Sequence, residues 1–162
     1  MKILNLHVEG FRSLKSADWS PGDLNVVIGP NGSGKSNLLR VLELLSASAQ
    51  VGLFRSIDSD GGIRPLLWDG QAHAIEFGLR TTPLQAEVES QKRSLEYRVK
   101  LAPVGKISAY RVQSEVLSND CLVRTGKQKE RFKFLDREKL VAKIFDEENR
   151  ALIAPEDSVL ED

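Results

Sequence analysis

Gly29-Pro30-Asn31-Gly32-Ser33-Gly34-Lys35-Ser36 is the stretch whose reading decides the fold of this chain. It fills every defined position of the phosphate-loop pattern G-x-x-x-x-G-K-[ST]. Its flanks agree with that pattern. Residues 24–28 (Leu-Asn-Val-Val-Ile) read as a buried strand delivering the loop, and residues 37–49 read as a helix leaving it. Gly29, Gly32 and Gly34 allow the backbone to turn its N–H groups inward around phosphate oxygens. The following helix points its unpaired N-terminal donors and positive dipole end at the same anion. The pattern therefore assigns Asn31, Gly32, Ser33, Gly34, Lys35 and Ser36 to a triphosphate cradle. Lys35 reaches the β- and γ-phosphates and is the catalytic candidate, and the Ser36 hydroxyl faces Mg²⁺. The competing reading is a glycine-rich turn with no ligand.

Bulk properties narrow the setting. The chain has 162 residues, enough for one domain with a sizeable core. Its 23 basic and 23 acidic residues cancel, so no net field draws it onto a polyanion. A hydrophobic fraction of 41% with 28% charged residues is that of an ordinary globular protein. Cys121 is the single cysteine, which excludes an intrachain disulfide and agrees with a reducing cytoplasm. The first residues, Met-Lys-Ile-Leu-Asn-Leu-His, lack the apolar stretch of a secretion signal. No run approaches the length of a transmembrane span. These features predict a soluble, cytoplasmic protein with no membrane partner.

Outward from the loop, residues 2–9 alternate and predict a half-buried strand, broken at Gly10. Phe11-Arg12-Ser13-Leu14 connects it to a second extended piece ending near Trp19, and Pro21-Gly22-Asp23 is a turn by composition. The helix after the loop carries Leu38, Leu39, Val41, Leu42, Leu44 and Leu45, with Arg40 and Glu43 its clear polar positions. Such a helix is expected to be buried around most of its circumference and to end by Gly52. Residues 50–72 read as a loop, with a turn-rich cluster at Asp58-Ser59-Asp60-Gly61-Gly62. β-like runs follow at 74–80, 95–101, 110–117, 121–124 and 132–135, then a hairpin formed by 140–145 and 151–153 and turned at 147–149. Their spacing predicts an antiparallel meander. Residues 155–162 have the composition of a helix start, which leads us to expect the N-terminal piece of a longer protein.

A phosphate loop does not choose among kinases, GTPases and ATPases. GTPases and small kinases continue as alternating β–α units, whereas here one helix is followed by β-like runs. Asp58-Ser59-Asp60-Gly61 matches the D-x-x-G of a GTPase switch, but no strand precedes it and no N-K-x-D follows, so we read it as coincidence.

Two stretches carry a more specific resemblance. Residues 3–14 (Ile-Leu-Asn-Leu-His-Val-Glu-Gly-Phe-Arg-Ser-Leu) and 24–39 (Leu-Asn-Val-Val-Ile-Gly-Pro-Asn-Gly-Ser-Gly-Lys-Ser-Asn-Leu-Leu) together resemble the opening of an ABC-type ATPase head. The likeness is to the branch containing RecF, the SMC proteins and the OLD-like AAA ATPases. There an aromatic-basic-Ser element follows the first strand, and the phosphate loop reads G-x-N-G-[SA]-G-K-S-[NT]. The implied fold class is α/β with α+β character: a phosphate-loop NTPase lobe with one buried helix and a largely antiparallel meander.

By that resemblance residues 31–36 and Asn37 cradle ATP, Lys35 contacts the phosphates, Ser36 holds Mg²⁺, and Arg12 and Ser13 lie near the nucleotide. Arg12 also reads as a solvated turn residue, Asn37 as a plain first-turn helix residue, and Phe11 as core. A Q-loop glutamine beside the metal is expected in such heads. Gln113 is the nearest candidate and Gln91 the second, and an exposed strand glutamine is the other reading. The chain shows no signature motif. Ile144-Phe145-Asp146-Glu147 imitates a Walker B strand but reads as a hairpin edge. His7 and His73 are too few for a zinc site.

The resemblance implies ATP-driven dimerisation of two heads and hydrolysis in the complete protein, in DNA repair, chromosome maintenance or phage defence. DNA is a partner by resemblance only. This segment alone is expected to be inactive. The alternatives are a non-catalytic, nucleotide-dependent interaction module and another phosphate-loop enzyme such as a kinase.

Overall fold

The computed structural model describes residues 2–50, 52–82, 94–105, 109–125, 128–139, 141–145 and 151–153. Its frame is one eight-stranded sheet in which every neighbouring pair is antiparallel, in the order β2-β1-β3-β4-β5-β6-β7-β8. The strands are β1 (Ile3–Phe11), β2 (Leu14–Trp19), β3 (Ile75–Thr81), β4 (Leu95–Pro103), β5 (Tyr110–Thr125), β6 (Gln128–Glu138), β7 (Val141–Phe145) and β8 (Ala151–Ile153). The meander expected from the alternating runs is present. After β1, each strand from β3 onward pairs with the next in sequence.

Alternation sets which face is buried. In register across the sheet, Val8 faces Phe77 and Phe77 faces Val99, while Leu6 faces Leu79 and Leu79 faces Tyr97. Leu6, Val8, Ile75, Phe77, Val99 and Leu101 are fully or almost fully buried. The intervening residues put charges on the opposite face, where Arg98 pairs with Glu96 at 2.6 Å and Arg80 with Asp120 at 3.0 Å. Helix α1 (Lys35–Ala49) supplies Val41, Leu44 and Leu45 to the same cluster. At Gly10 (φ 73°) a Cβ would lie 2.4 Å from the Ala74 carbonyl oxygen, so the residue must be glycine. The strand continues to Phe11, which lies in the core edge-to-face on Phe77 with ring centroids 5.6 Å apart. Phe11 is thus core.

Several expectations are corrected. Residues 24–28 form no strand, and Leu24 and Ile28 are each 86% exposed. An apolar run predicts burial only where another strand lies beside it, and among the described residues none does. Helix α1 is buried on one face only, because a single layer covers it and Leu39 is 60% exposed. No described pair of strands is parallel, so among the described residues the chain is a mostly antiparallel sheet with two helices, as the expected meander implies, and is not clearly α/β. The second helix, α2 (Leu53–Ser59), lies inside residues 50–72, read from sequence as loop, and is followed by 3₁₀ turns at Arg64–Leu66 and Trp68–Gly70. Burial of Ile57, Ile63, Leu66 and Leu67 against the core orders this segment despite its turn-forming composition.

The runs at 110–117 and 121–124 belong to one strand, β5, whose pairing with β6 shifts register between Leu117 and Leu122. The hairpin of β7 and β8 is as expected. Its turn, Asp146 and Glu147, Gln91 and residues 155–162 lie outside the described residues.

Replacing Phe11 with alanine removes a fully buried ring from the joint between β1, β3 and α1. The expected cost is about 3–5 kcal/mol of unfolding free energy, measurable by urea denaturation. A loss below about 1 kcal/mol would mean that this ring does not anchor the core.

Candidate functional site

The phosphate loop enters α1 through a left-handed residue. Gly34, the N-cap, has φ 95° and Gly32 has φ 82°, a region that L side chains rarely adopt. Space is tight at Gly34 as well: a Cβ there would lie 2.8 Å from Leu14 Cδ2 and 3.0 Å from Ser13 Oγ, so those side-chain ends would have to shift to admit it. Gly34 therefore sits flush against the β1–β2 turn, and the loop is braced by the sheet behind it. The Ser33 amide donates to the Pro30 carbonyl at 3.3 Å, and the Leu38 amide donates to the Gly34 carbonyl at 2.9 Å. That second bond is the first of the helical series. The amides of Lys35, Ser36 and Asn37 precede it and have no acceptor within the helix.

Lys35 Nζ donates to the carbonyl oxygens of Gly29 and Pro30, both at 2.7 Å, and lies 3.4 Å from Ser33 Oγ. The ammonium is thereby held in the mouth of the loop. Asn31, Gly32, Gly34, Lys35, Ser36 and Asn37 line a concavity of about 260 Å³. Its donors are amide groups, one ammonium and one hydroxyl beside the positive end of a 15-residue helix. That donor set suits a polyanion. No carboxylate lines the concavity.

Ser13 and Asn37 tie the turn to the helix, because Asn37 Nδ2 donates to Ser13 Oγ at 2.8 Å. Arg12 is in the left-handed region (φ 47°), its amide donating to the Leu66 carbonyl at 2.8 Å. Its guanidinium does not point into the concavity: Nη2 donates to Asp60 Oδ1 at 3.0 Å. The other oxygen of Asp60 accepts from Arg40 Nε and Nη2 at 3.1 and 2.8 Å. Arg40 also donates to Glu43 Oε2, the Ser56 carbonyl and Ser56 Oγ. Hydrogen bonds that Arg40 donates to Glu43 and then to Asp60 are the strongest influences on it, and they hold its pKa above the ordinary guanidinium value.

The structure thus brings residues 31–37 and Ser13 together and places Arg12 alongside them, with its head group turned to Asp60. Gln113 is elsewhere. It is the extra residue at a bulge in β5, and its carbonyl accepts from the Lys139 amide. β5 is three strands from β1 in the sheet, about 14 Å at ordinary strand spacing. Among the described residues no group of three or more histidine, cysteine or acidic side chains forms a metal cluster. Likewise, no helix is long and apolar enough to cross a membrane.

Sequence reading missed Asp60 and Ser56. A usable signal was Arg40, a lone guanidinium amid leucines that needs a carboxylate partner near the helix.

A family model described as an AAA ATPase domain matches residues 1–150. The chain belongs to that family. Among solved structures, this AAA ATPase domain matches one described as "Structural biochemistry of ATP-driven dimerization and DNA stimulated activation of SMC ATPases". The likeness has a TM-score of 0.48 and 19% sequence identity, covering 74% of this chain and 70% of that one. The comparison with curated proteins found no match.

Gly32 and Gly34, both left-handed, are expected to behave differently when replaced by alanine. Gly32 has open space around it, so its change carries only the backbone cost of about 1–2 kcal/mol. Gly34 adds the displacement of the Leu14 and Ser13 side-chain ends, 2.8 and 3.0 Å from the new Cβ. Thermal melts should show Gly34→Ala lowering Tm more than Gly32→Ala. Equal shifts would mean that the loop is not braced against the β1–β2 turn.

Proposed function

We propose that this chain binds ATP with Mg²⁺ through residues 29–36, as the nucleotide-holding lobe of a RecF/SMC-like ATPase head. One observation carries the proposal: a left-handed glycine, braced by the sheet, aims the free amides of a helix N-terminus and the ammonium of Lys35 into one concavity. A triphosphate meets three complementary features there. Backbone amides donate to its oxygens, the helix dipole favours its charge, and Lys35 neutralises the phosphates most distant from the base. The Ser36 hydroxyl, at the second helical position, is the ligand this lobe offers to Mg²⁺. When bound, that ion would offset the charge that develops on the transferring phosphoryl group.

Holding and cleaving are separate tasks. Hydrolysis also needs a group that positions or deprotonates the attacking water, and no residue lining this concavity is an acid. Under the proposal, the complete protein supplies that group from outside this lobe and closes a second head over the nucleotide. The exposed run at 24–28 supports the same reading: Val26 and Ile28 are 77% and 86% exposed, an uncovered apolar stretch that another part of the complete head would cover. The antiparallel course of the sheet does not favour the kinase alternative. A role on DNA, in repair, chromosome maintenance or phage defence, rests on family resemblance alone.

Lys35→Ala removes a charged donor from the phosphates. A titration with fluorescently labelled ATP should show affinity falling on the order of 10- to 100-fold. Turnover by the complete protein should fall to background. Equal binding and turnover by variant and wild type would remove the basis of the proposal.

A further inference from the structure

Asp60 bonds two guanidiniums that differ in how firmly they are held. Arg40 has five further or shared bonds: two to Asp60 and one each to Glu43, the Ser56 carbonyl and Ser56 Oγ. Among the described residues the Arg12 guanidinium makes one hydrogen bond, to Asp60, and otherwise rests 5.7 Å from the centre of the Phe11 ring. Its side chain is also the more exposed of the two, at 32% against 22%. Arg40 is a fixture, and Arg12 can be exchanged.

The location of this cluster relates it to the phosphate loop. Arg40 follows Ser36 by four residues, on the same face of α1 and about 6 Å along its axis. Asp60 therefore lies beside the helix about one turn beyond the loop. The backbone of Arg12 lies closer, since its neighbour Ser13 bonds Asn37 and abuts Gly34. The left-handed backbone of Arg12, pinned by Leu66, fixes where its side chain starts. What remains variable is which anion the guanidinium meets.

We propose that Asp60 is a positioning residue that holds Arg12 away from the phosphate loop, and that the terminal phosphate of ATP competes with Asp60 for the Arg12 guanidinium. This rests on the nucleotide reading above and deepens it by assigning the site a means of telling ATP from ADP. Arg40 keeps Asp60 in place as Arg12 leaves, so the carboxylate is never unpaired and the exchange carries little desolvation cost. The cation moves between two anionic acceptors, the Asp60 carboxylate and the terminal phosphate, and the presence of that phosphate decides which one it takes.

The test is an equilibrium titration of the intact protein with fluorescently labelled ATP and ADP, using wild type, Asp60→Asn, Arg12→Ala and the double variant. Asparagine keeps an acceptor for Arg40 and removes the charge that retains Arg12. Asp60→Asn is expected to tighten ATP about three- to fivefold relative to ADP, the scale of one partly exposed ion pair. That gain should vanish in the double variant. A change of equal size for ATP and ADP, or a gain that persists without Arg12, would overturn the proposal. Wild type that binds neither nucleotide would instead sink the nucleotide reading itself. Should Asp60→Asn fail to fold, Arg12→Ala alone decides: a fall in the ATP-to-ADP preference of about threefold or more supports the proposal, and an unchanged preference overturns it.

Discussion

The first turn of a helix cannot satisfy its own amide donors. In this protein the arrangement around α1 keeps those donors in one place and facing outward. Gly34 takes a left-handed conformation that lets the loop enter the helix with its N–H groups convergent. Glycine adopts that conformation readily, and the side-chain ends of Leu14 and Ser13 lie close to where a Cβ would stand. Leu14 opens β2, β2 pairs with β1, and β1 carries Leu6, Val8 and Phe11 into the core shared with α1. The antiparallel sheet is thus the rigid backing of a loop that has little packing of its own.

How much of this could be read in the sequence depended on how tightly chemistry restricts each position. The loop was fully legible, since each defined residue of the octet answers a separate requirement: a glycine for conformation, a lysine for charge, a serine for a hydroxyl. The meander was legible from alternation wherever one face is solvated, as at Ile75 to Thr81. Alternation fails where its assumptions fail. Residues 118–120, Ser-Asn-Asp, look like a turn by composition, yet β5 runs through them by shifting register. Residues 24–28 look like a core strand because they are apolar, but their burial depends on a neighbouring strand that local sequence does not specify.

Side-chain destinations were the least legible part. Arg12 could be placed near the loop by resemblance, but its bond to Asp60 spans 48 positions and involves a residue from a turn-rich cluster. Nothing in the identity of Asp60 distinguishes it from Asp58, two positions before it. The difference is geometric: helix α2 ends there, and its last turn brings Asp60 against α1. The same distinction applies to Gln113, whose type suits a metal ligand and whose position in the sheet does not bring it to Ser36.

Membership of an AAA ATPase family and the shape of the loop point the same way, and the absence of a carboxylate from the concavity separates holding a nucleotide from cleaving it. The central claim is therefore about where the phosphates lie. The most direct measurement is the change in backbone amide chemical shifts when MgATP is added to the isotopically labelled protein. The account predicts that the largest changes fall on residues 32–37 and Ser13, with little at Gln113. Shifts concentrated elsewhere on the sheet, or none at the loop at saturating nucleotide, would contradict it.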